Sequence, residues 1–328
     1  MNDYSVYRGD REYLPPSVCL TLESGEGTLK KRNFLIREVY AEDLYNICYL
    51  AEEEEGDGSR KKRLVRQFYP DPVQCEIIGT LDGSRLKIRG YAQSSKAGSF
   101  RKAFMDDLSR QEEYRKERFP FMIPLEGHYL REETGYMVYD LEGLTSPDLQ
   151  AGRPWNRKDY HILLQLAEEM AGLQEKGWGP GMIDRKSLFT DERGKLFILD
   201  RHSLERKKTP RSAEERIFRG DYPCLPPELD SLKGNYEQAD YFLSDRTDVF
   251  CFGCLLYEAM TGEEADGRLS HKDEPGPAVR QFVEEKGAGF GPGEREGLVH
   301  VLSQTFCPLD RRYKNAGLLY RELKKIIA

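Results

Sequence analysis

The sequence contains no apolar run approaching the roughly 18 residues that a membrane-spanning helix needs. Its opening, MNDYSVYRGDREYLPP, has no basic segment followed by an apolar stretch, so no secretory leader is expected and a cytoplasmic location is. Basic charge is not in excess. Against 57 Asp and Glu stand 50 Lys and Arg, a net charge of −7, which argues against nucleic acid or an anionic membrane as partner. The seven cysteines are scattered. The pair Cys251 and Cys254 in DVFCFGCLLYEAM lacks the second pair that a zinc site requires, and both are expected as buried core thiols. There is no internal repeat and no low-complexity linker.

What is present suffices for a sizeable core: 328 residues, 38% hydrophobic and 11% aromatic. Residues 33–51 and 62–69 are rich in β-branched and aromatic side chains, and the acidic, glycine-containing EEEEGDGSRK between them reads as a hairpin turn. A β-meander is expected there, with Glu52 to Glu55 a solvated turn rather than a docking patch. Residues 99–117 suit a charged helix, and TGYMVYDLEG at 134–143 reads as a strand running into a connector.

Beyond that point the period changes. In KDYHILLQLAEEMAGLQEKG, Leu163, Leu166, Met170 and Leu173 recur at spacings of three and four, with Gly177 placed as a C-terminal stop. KSLFTDERGKLFILD reads as a hairpin around DERG, and helices are expected at about 246–262, 276–285, 294–306 and 314–327. A β-rich part thus precedes a helical one.

This order, with YAEDLYNICYLA (40–51), LVRQFYP (64–70) and YMVYDLEG (136–143), resembles the protein kinase superfamily. More narrowly it is similar to bacterial serine/threonine protein kinases, which read LGxGGFGxTYLA, VxIKEYFP and YIVMEYLEG. PCLPPEL at 223–229, RTDVFCFGCLLYEAMTG at 246–262 and CPLDRRY at 307–313 resemble, in order, the APE segment, the SDVYSLGxxLYEMLTG helix and the closing DPxxRP element. The resemblance covers about residues 25–328 and implies an α+β, bilobal fold. After an N-terminal arm at 1–30 would come a small β-rich N-lobe at 31–141 and a larger helical C-lobe at 142–328. It further implies a buried ion pair between Glu228 and Arg312 and a structural anchor at Asp248.

The chemical positions depart from the family. Phosphoryl transfer uses a glycine-rich turn whose backbone approaches the phosphates. Here the three glycine positions hold Ala41, Asp43 and Asn46, and Asp43 puts a carboxylate where a triphosphate would pass. The strand lysine corresponds to Arg66, which would bind a phosphate or carboxylate, pair with a helix acid such as Glu112 or Glu113, or pair with Asp200. Counting back thirteen residues from Asp200, the metal-ligand position, places Ser187 at the metal-binding asparagine and Met182 at the catalytic aspartate. The His-Arg-Asp triplet becomes Pro180-Gly181-Met182, and a thioether accepts no hydroxyl proton. Asp184 would substitute only through a two-residue register shift. Asp-Phe-Gly becomes Asp200-Arg201-His202, with His202 read as a loop residue rather than a ligand. Tyr139, followed by Asp140, narrows the back of the pocket.

These replacements imply a pseudokinase with no catalytic residue and no cofactor. ATP with magnesium or manganese would be held only weakly, through Asp200. A protein partner is expected, engaged by the lobes or by residues 203–220, where Thr209 and Ser212 offer phosphorylatable hydroxyls. Two alternatives stay open at this stage: a nucleotide-binding enzyme of altered mechanism using Arg66, Asp200 and Asp184, and a nucleotide sensor without turnover.

Overall fold

Three long strands, two of them buried over most of their length, build the N-terminal part. A computed structural model describes residues 5–7, 13–23, 31–42, 46–70, 77–82, 85–91, 101–102, 104–109, 111, 116, 119–131, 134–146, 154–156, 159–179, 183–199, 205–206, 226–230, 244–263, 275–287 and 289–327. Strands β3 (Lys31–Glu42), β4 (Asn46–Glu54) and β5 (Arg60–Phe68) form the meander. They join β2 (Cys19–Glu23), β8 (Leu125–Arg131) and β9 (Thr134–Asp140) in one antiparallel sheet of order β2-β3-β4-β5-β9-β8. One face carries Leu20, Leu22, Phe34, Ile36, Ile47, Tyr49, Ala51, Val65, Tyr136 and Val138 as a core cluster. Because successive side chains alternate, Leu64, Arg66 and Phe68 fall on the opposite face, towards α1, a helix described at residues 101–102, 104–109, 111 and 116.

Three features depart from the sequence reading. Glu52 to Glu54, expected within a solvated turn, close strand β4, and Glu53 is buried. Residues 19–23, assigned to an arm, are strand β2, paired from Cys19↔Leu35 to Glu23↔Lys31. Between β5 and α1 stand two further strands, β6 (Ile77–Asp82) and β7 (Arg85–Tyr91), which with β1 (Ser5–Tyr7) make a separate sheet of order β1-β6-β7.

Backbone contacts divide the chain into two compact units, Met1–Leu144 with Phe218–Gly220, and Thr145–Ile217 with Asp221–Ala328. The second is helical: α2 (Tyr160–Glu175), α3 (Pro227–Asp230), α4 (Asp245–Thr261), α5 (Gly276–Lys286), α6 (Pro292–Phe306) and α7 (Ala316–Ile327). It also holds two short strand pairs: β10 (Trp178–Gly179) with β13 (Glu205–Arg206), and β11 (Leu188–Thr190) with β12 (Leu196–Ile198). Helix α4 starts where the Ser244 hydroxyl accepts from the Arg246 N–H, and it stops at Gly262, whose φ of 74° is one that glycine adopts without strain. Nearly every residue of α4 is buried, Cys251 and Cys254 included, so it is the central helix of this unit. No described helix is long and apolar enough to cross a membrane.

Candidate functional site

The candidate residues fall in both units, and each set is built from its own elements. In the first unit, register places Ala41, Cys48, Arg66 and Met137 in one row across β3, β4, β5 and β9. The adjacent row is Leu50, Leu64 and Tyr139. All seven are buried, as is Asn46, the last glycine-position residue, which pairs in register with Phe68.

Arg66 is the cation of this face, and its Nη2 lies 2.9 Å from Asp107 Oδ2 of α1. The two side chains are 1% and 0% exposed. Placing both charges out of water is tolerable only because they meet, and removing either would leave the other uncompensated. The helix acid facing Arg66 is thus Asp107; Glu112 and Glu113 lie outside the described residues.

Tyr139 is 0% exposed, with its hydroxyl 3.4 Å from Met137 Sδ. The next residue, Asp140, turns to the sheet's other face. Its Oδ1 accepts from Arg63 Nη1 at 2.5 Å and from the Glu142 N–H at 2.9 Å. The connector that follows is bonded at Leu141, Glu142 and Leu144. Leu141 N–H donates to Lys62 O, the Lys62 N–H donates to Glu142 Oε2, and Lys62 Nζ donates to Leu144 O at 3.0 Å. Burial lowers the pKa of that lysine despite the nearby Glu142 carboxylate.

In the second unit, Ser187 ends a short 3-10 turn, Arg185–Ser187. Its hydroxyl donates to Asp184 Oδ1 at 2.7 Å, while its carbonyl accepts from Leu199. Asp184 and Ser187 therefore close on each other. Asp248 Oδ2 accepts from Gln174 Nε2 at 3.2 Å, and Gln174 Oε1 accepts from the Ala316 N–H at 2.8 Å, so this buried amide links α2, α4 and α7. Arg312 meets Glu228 through both terminal nitrogens, at 2.8 and 3.2 Å, in a bidentate pair. The guanidinium also donates to the carbonyls of Arg246 and Cys307 and lies over the Phe250 ring. These bonds tie α3 and the segment after α6 to the start of α4.

Asp43, Pro180, Gly181, Met182, Asp200, Arg201, His202, Thr209 and Ser212 lie outside the described residues, so the proposed Asp200 ligand and its pairing with Arg66 have no described geometry. Among the described residues no group of three or more His, Cys, Asp or Glu is placed to hold a metal ion. Sequence reasoning passed over Asp107, Gln174 and Arg63. The first had a signal: Phe104, Asp107, Leu108 and Gln111 recur at helical spacing, and all four are buried, so the aspartate sits within the helix's inward stripe.

No family model matches the chain, and no curated protein matches it by sequence. Among solved structures, it is similar to the apo form of PpkA-294, a bacterial serine/threonine kinase, with a TM-score of 0.59 and 15% identity over 96% of this chain and 99% of that one. Near-complete coverage at so low an identity is a statement about fold. The chain has a kinase-like fold, with an antiparallel sheet in its N-terminal part and helices in its C-terminal part.

Proposed function

We propose that the chain is a pseudokinase, a kinase-like domain that works by binding a protein partner and does not transfer phosphate efficiently. The observation that carries this reading is Met182 at the position of the catalytic aspartate, where a thioether accepts no hydroxyl proton. The Arg66–Asp107 pair keeps the ion pair of such folds in altered form, with a wide planar guanidinium, 1% exposed, in place of a compact ammonium.

Two further arrangements support the reading. The hydroxyl at the metal-asparagine position, Ser187, is donated to Asp184. A base recognised by backbone groups needs a free edge, and the connector's Leu141, Glu142 and Leu144 N–H groups are all given to internal acceptors. With Met182 at the catalytic position, the parts that efficient transfer needs jointly are missing together.

The test is thermal unfolding of the purified chain with millimolar ATP, alone and with magnesium or manganese, with Asp200→Ala as control. A ligand present at a hundred times its Kd stabilises the native state by about 2.7 kcal/mol, a shift of several degrees. No shift is expected. A metal-dependent shift abolished in Asp200→Ala would replace this reading with that of a nucleotide-binding enzyme of altered mechanism.

A further inference from the structure

The face of the sheet opposite Arg66 carries charged side chains from five strands, and they form one connected ladder. Arg32 of β3 grips Glu53 of β4 through Nε and Nη2, and its Nη2 also lies 2.7 Å from Glu126 of β8. Arg63 of β5 takes the centre. Its Nε lies 3.0 Å from Glu53 Oε2 and 3.1 Å from Glu126 Oε2, and its Nη1 reaches Asp140 of β9. The Arg63 side chain is 3% exposed, and Asp140 is its direct cross-strand partner.

An apolar residue would fill this place on the sheet without the desolvation penalty that a buried guanidinium carries. What arginine adds is a planar fork able to serve two acceptors in different directions at fixed angles. One side of the fork is anchored on Glu53 and Glu126. The other fixes Asp140, whose same oxygen caps the Glu142 N–H. Without that anchor, a carboxylate at the strand end, 38% exposed, would be free to turn to water.

We propose that Arg63 is a positioning residue, holding Asp140 as an internal cap on the Glu142 amide, which takes that donor of the connector after β9 away from a guest. The consequence for a guest rests on the pseudokinase reading; the cap itself does not.

Amide hydrogen exchange read residue by residue by NMR tests it on the full chain. In Asp140→Ala, exchange at Glu142 should quicken at least tenfold, while Tyr49 and Val65 in the sheet interior keep their wild-type rates. Arg63→Met should quicken Glu142 similarly, and Arg63→Lys should do so in part, because one ammonium cannot hold both sets of acceptors at the same angles. Equal Glu142 exchange in wild type and Asp140→Ala would overturn the cap. Unchanged Glu142 exchange in Arg63→Met would overturn the role of Arg63. Should Arg63→Met not fold, Arg63→Lys and Asp140→Ala still decide the matter. Adenosine at millimolar concentration separates the two readings: resonance shifts at Leu141 to Leu144 in the wild type would sink the closed connector, whatever the exchange rates say about the cap.

Discussion

The ring of Phe104 occupies the space that a side chain at Gly135 would fill: a Cβ there would collide with Phe104 Cε1 and lie 2.9 Å from Cζ. Gly135 is on β9 and Phe104 on α1, so the missing side chain is what lets the helix settle against the sheet. The same ring lies 5.3 Å from that of Phe68, centroid to centroid. Gly135→Ala must push a buried ring aside, at a cost of about 1–3 kcal/mol. Phe104→Leu should recover part of that loss when combined with it, and a double-mutant cycle from urea unfolding reads the coupling. Strict additivity would show that the contact does not set the helix position.

One helical turn further along α1, Asp107 makes a separate prediction. Arg66→Met or Asp107→Asn alone should cost about 3–5 kcal/mol, because each leaves one buried charge without its counterpart. The double variant Arg66→Met, Asp107→Leu should be more stable than either single one, since it removes both desolvation penalties. Urea midpoints for the four proteins check this. A double variant as unstable as the two losses added together would mean that the residues do not depend on each other.

Much of the fold was legible because the two periods are clean. The spacing of Leu163, Leu166, Met170 and Leu173 gave α2, and Gly177, with φ of 79°, stands just past its end. The β6-β7 pair was missed although Leu81-Asp82-Gly83-Ser84-Arg85 has the composition of a turn, a signal weaker than that of the aromatic strands before it. The helix acid facing Arg66 is open in the sequence, with Glu112 and Glu113 among the choices, for a different reason. Charge alone nominates any acid on α1, and only burial distinguishes Asp107, which shares the inward stripe with Phe104 and Leu108. The role of Arg63 was not legible at all. It depends on four strands whose register no local pattern fixes.

A turn before β2 predicts a gain in stability. Val18 N–H bonds to Pro15 O at 3.2 Å, with Pro16 and Ser17 between them, and Ser17 has a φ of 69°. That is the geometry of a turn whose third residue needs positive φ, a place that glycine fills without the clash of a Cβ. Ser17 must hold it because its N–H donates to Ile36 O while Val18 O accepts from Ile36 N–H, clasping the segment to β3. Ser17→Gly should stabilise the chain by about 0.5–1 kcal/mol, less whatever entropy the glycine adds to the unfolded chain. Ser17→Val should destabilise it, and thermal unfolding of both variants checks the sign.

Glu53, between Arg32 and Arg63, ties stability to pH. Burial pushes its carboxyl upward, but the hydrogen bonds and charges of Arg32 and Arg63 together prevail and hold it below its ordinary value. A depressed folded pKa means that the folded chain resists protonation more than the unfolded one. Its contribution is therefore fully present above the ordinary carboxylate pKa of about 4.3 and is lost as the pH falls through the lower folded value. Glu53→Gln removes the charge at every pH and should cost about 3 kcal/mol near pH 6.5, where the two arginines lose their shared acceptor. As the pH falls below the ordinary carboxylate value the wild type progressively loses this advantage, so the gap between the two urea midpoints should narrow. The carboxylates Glu52, Glu296 and Glu322, whose pKa values are also lowered by arginine or lysine partners, titrate in both proteins and drop out of the difference. A gap that stays constant from pH 6.5 to pH 3 would place the loss in packing and not in the charge ladder.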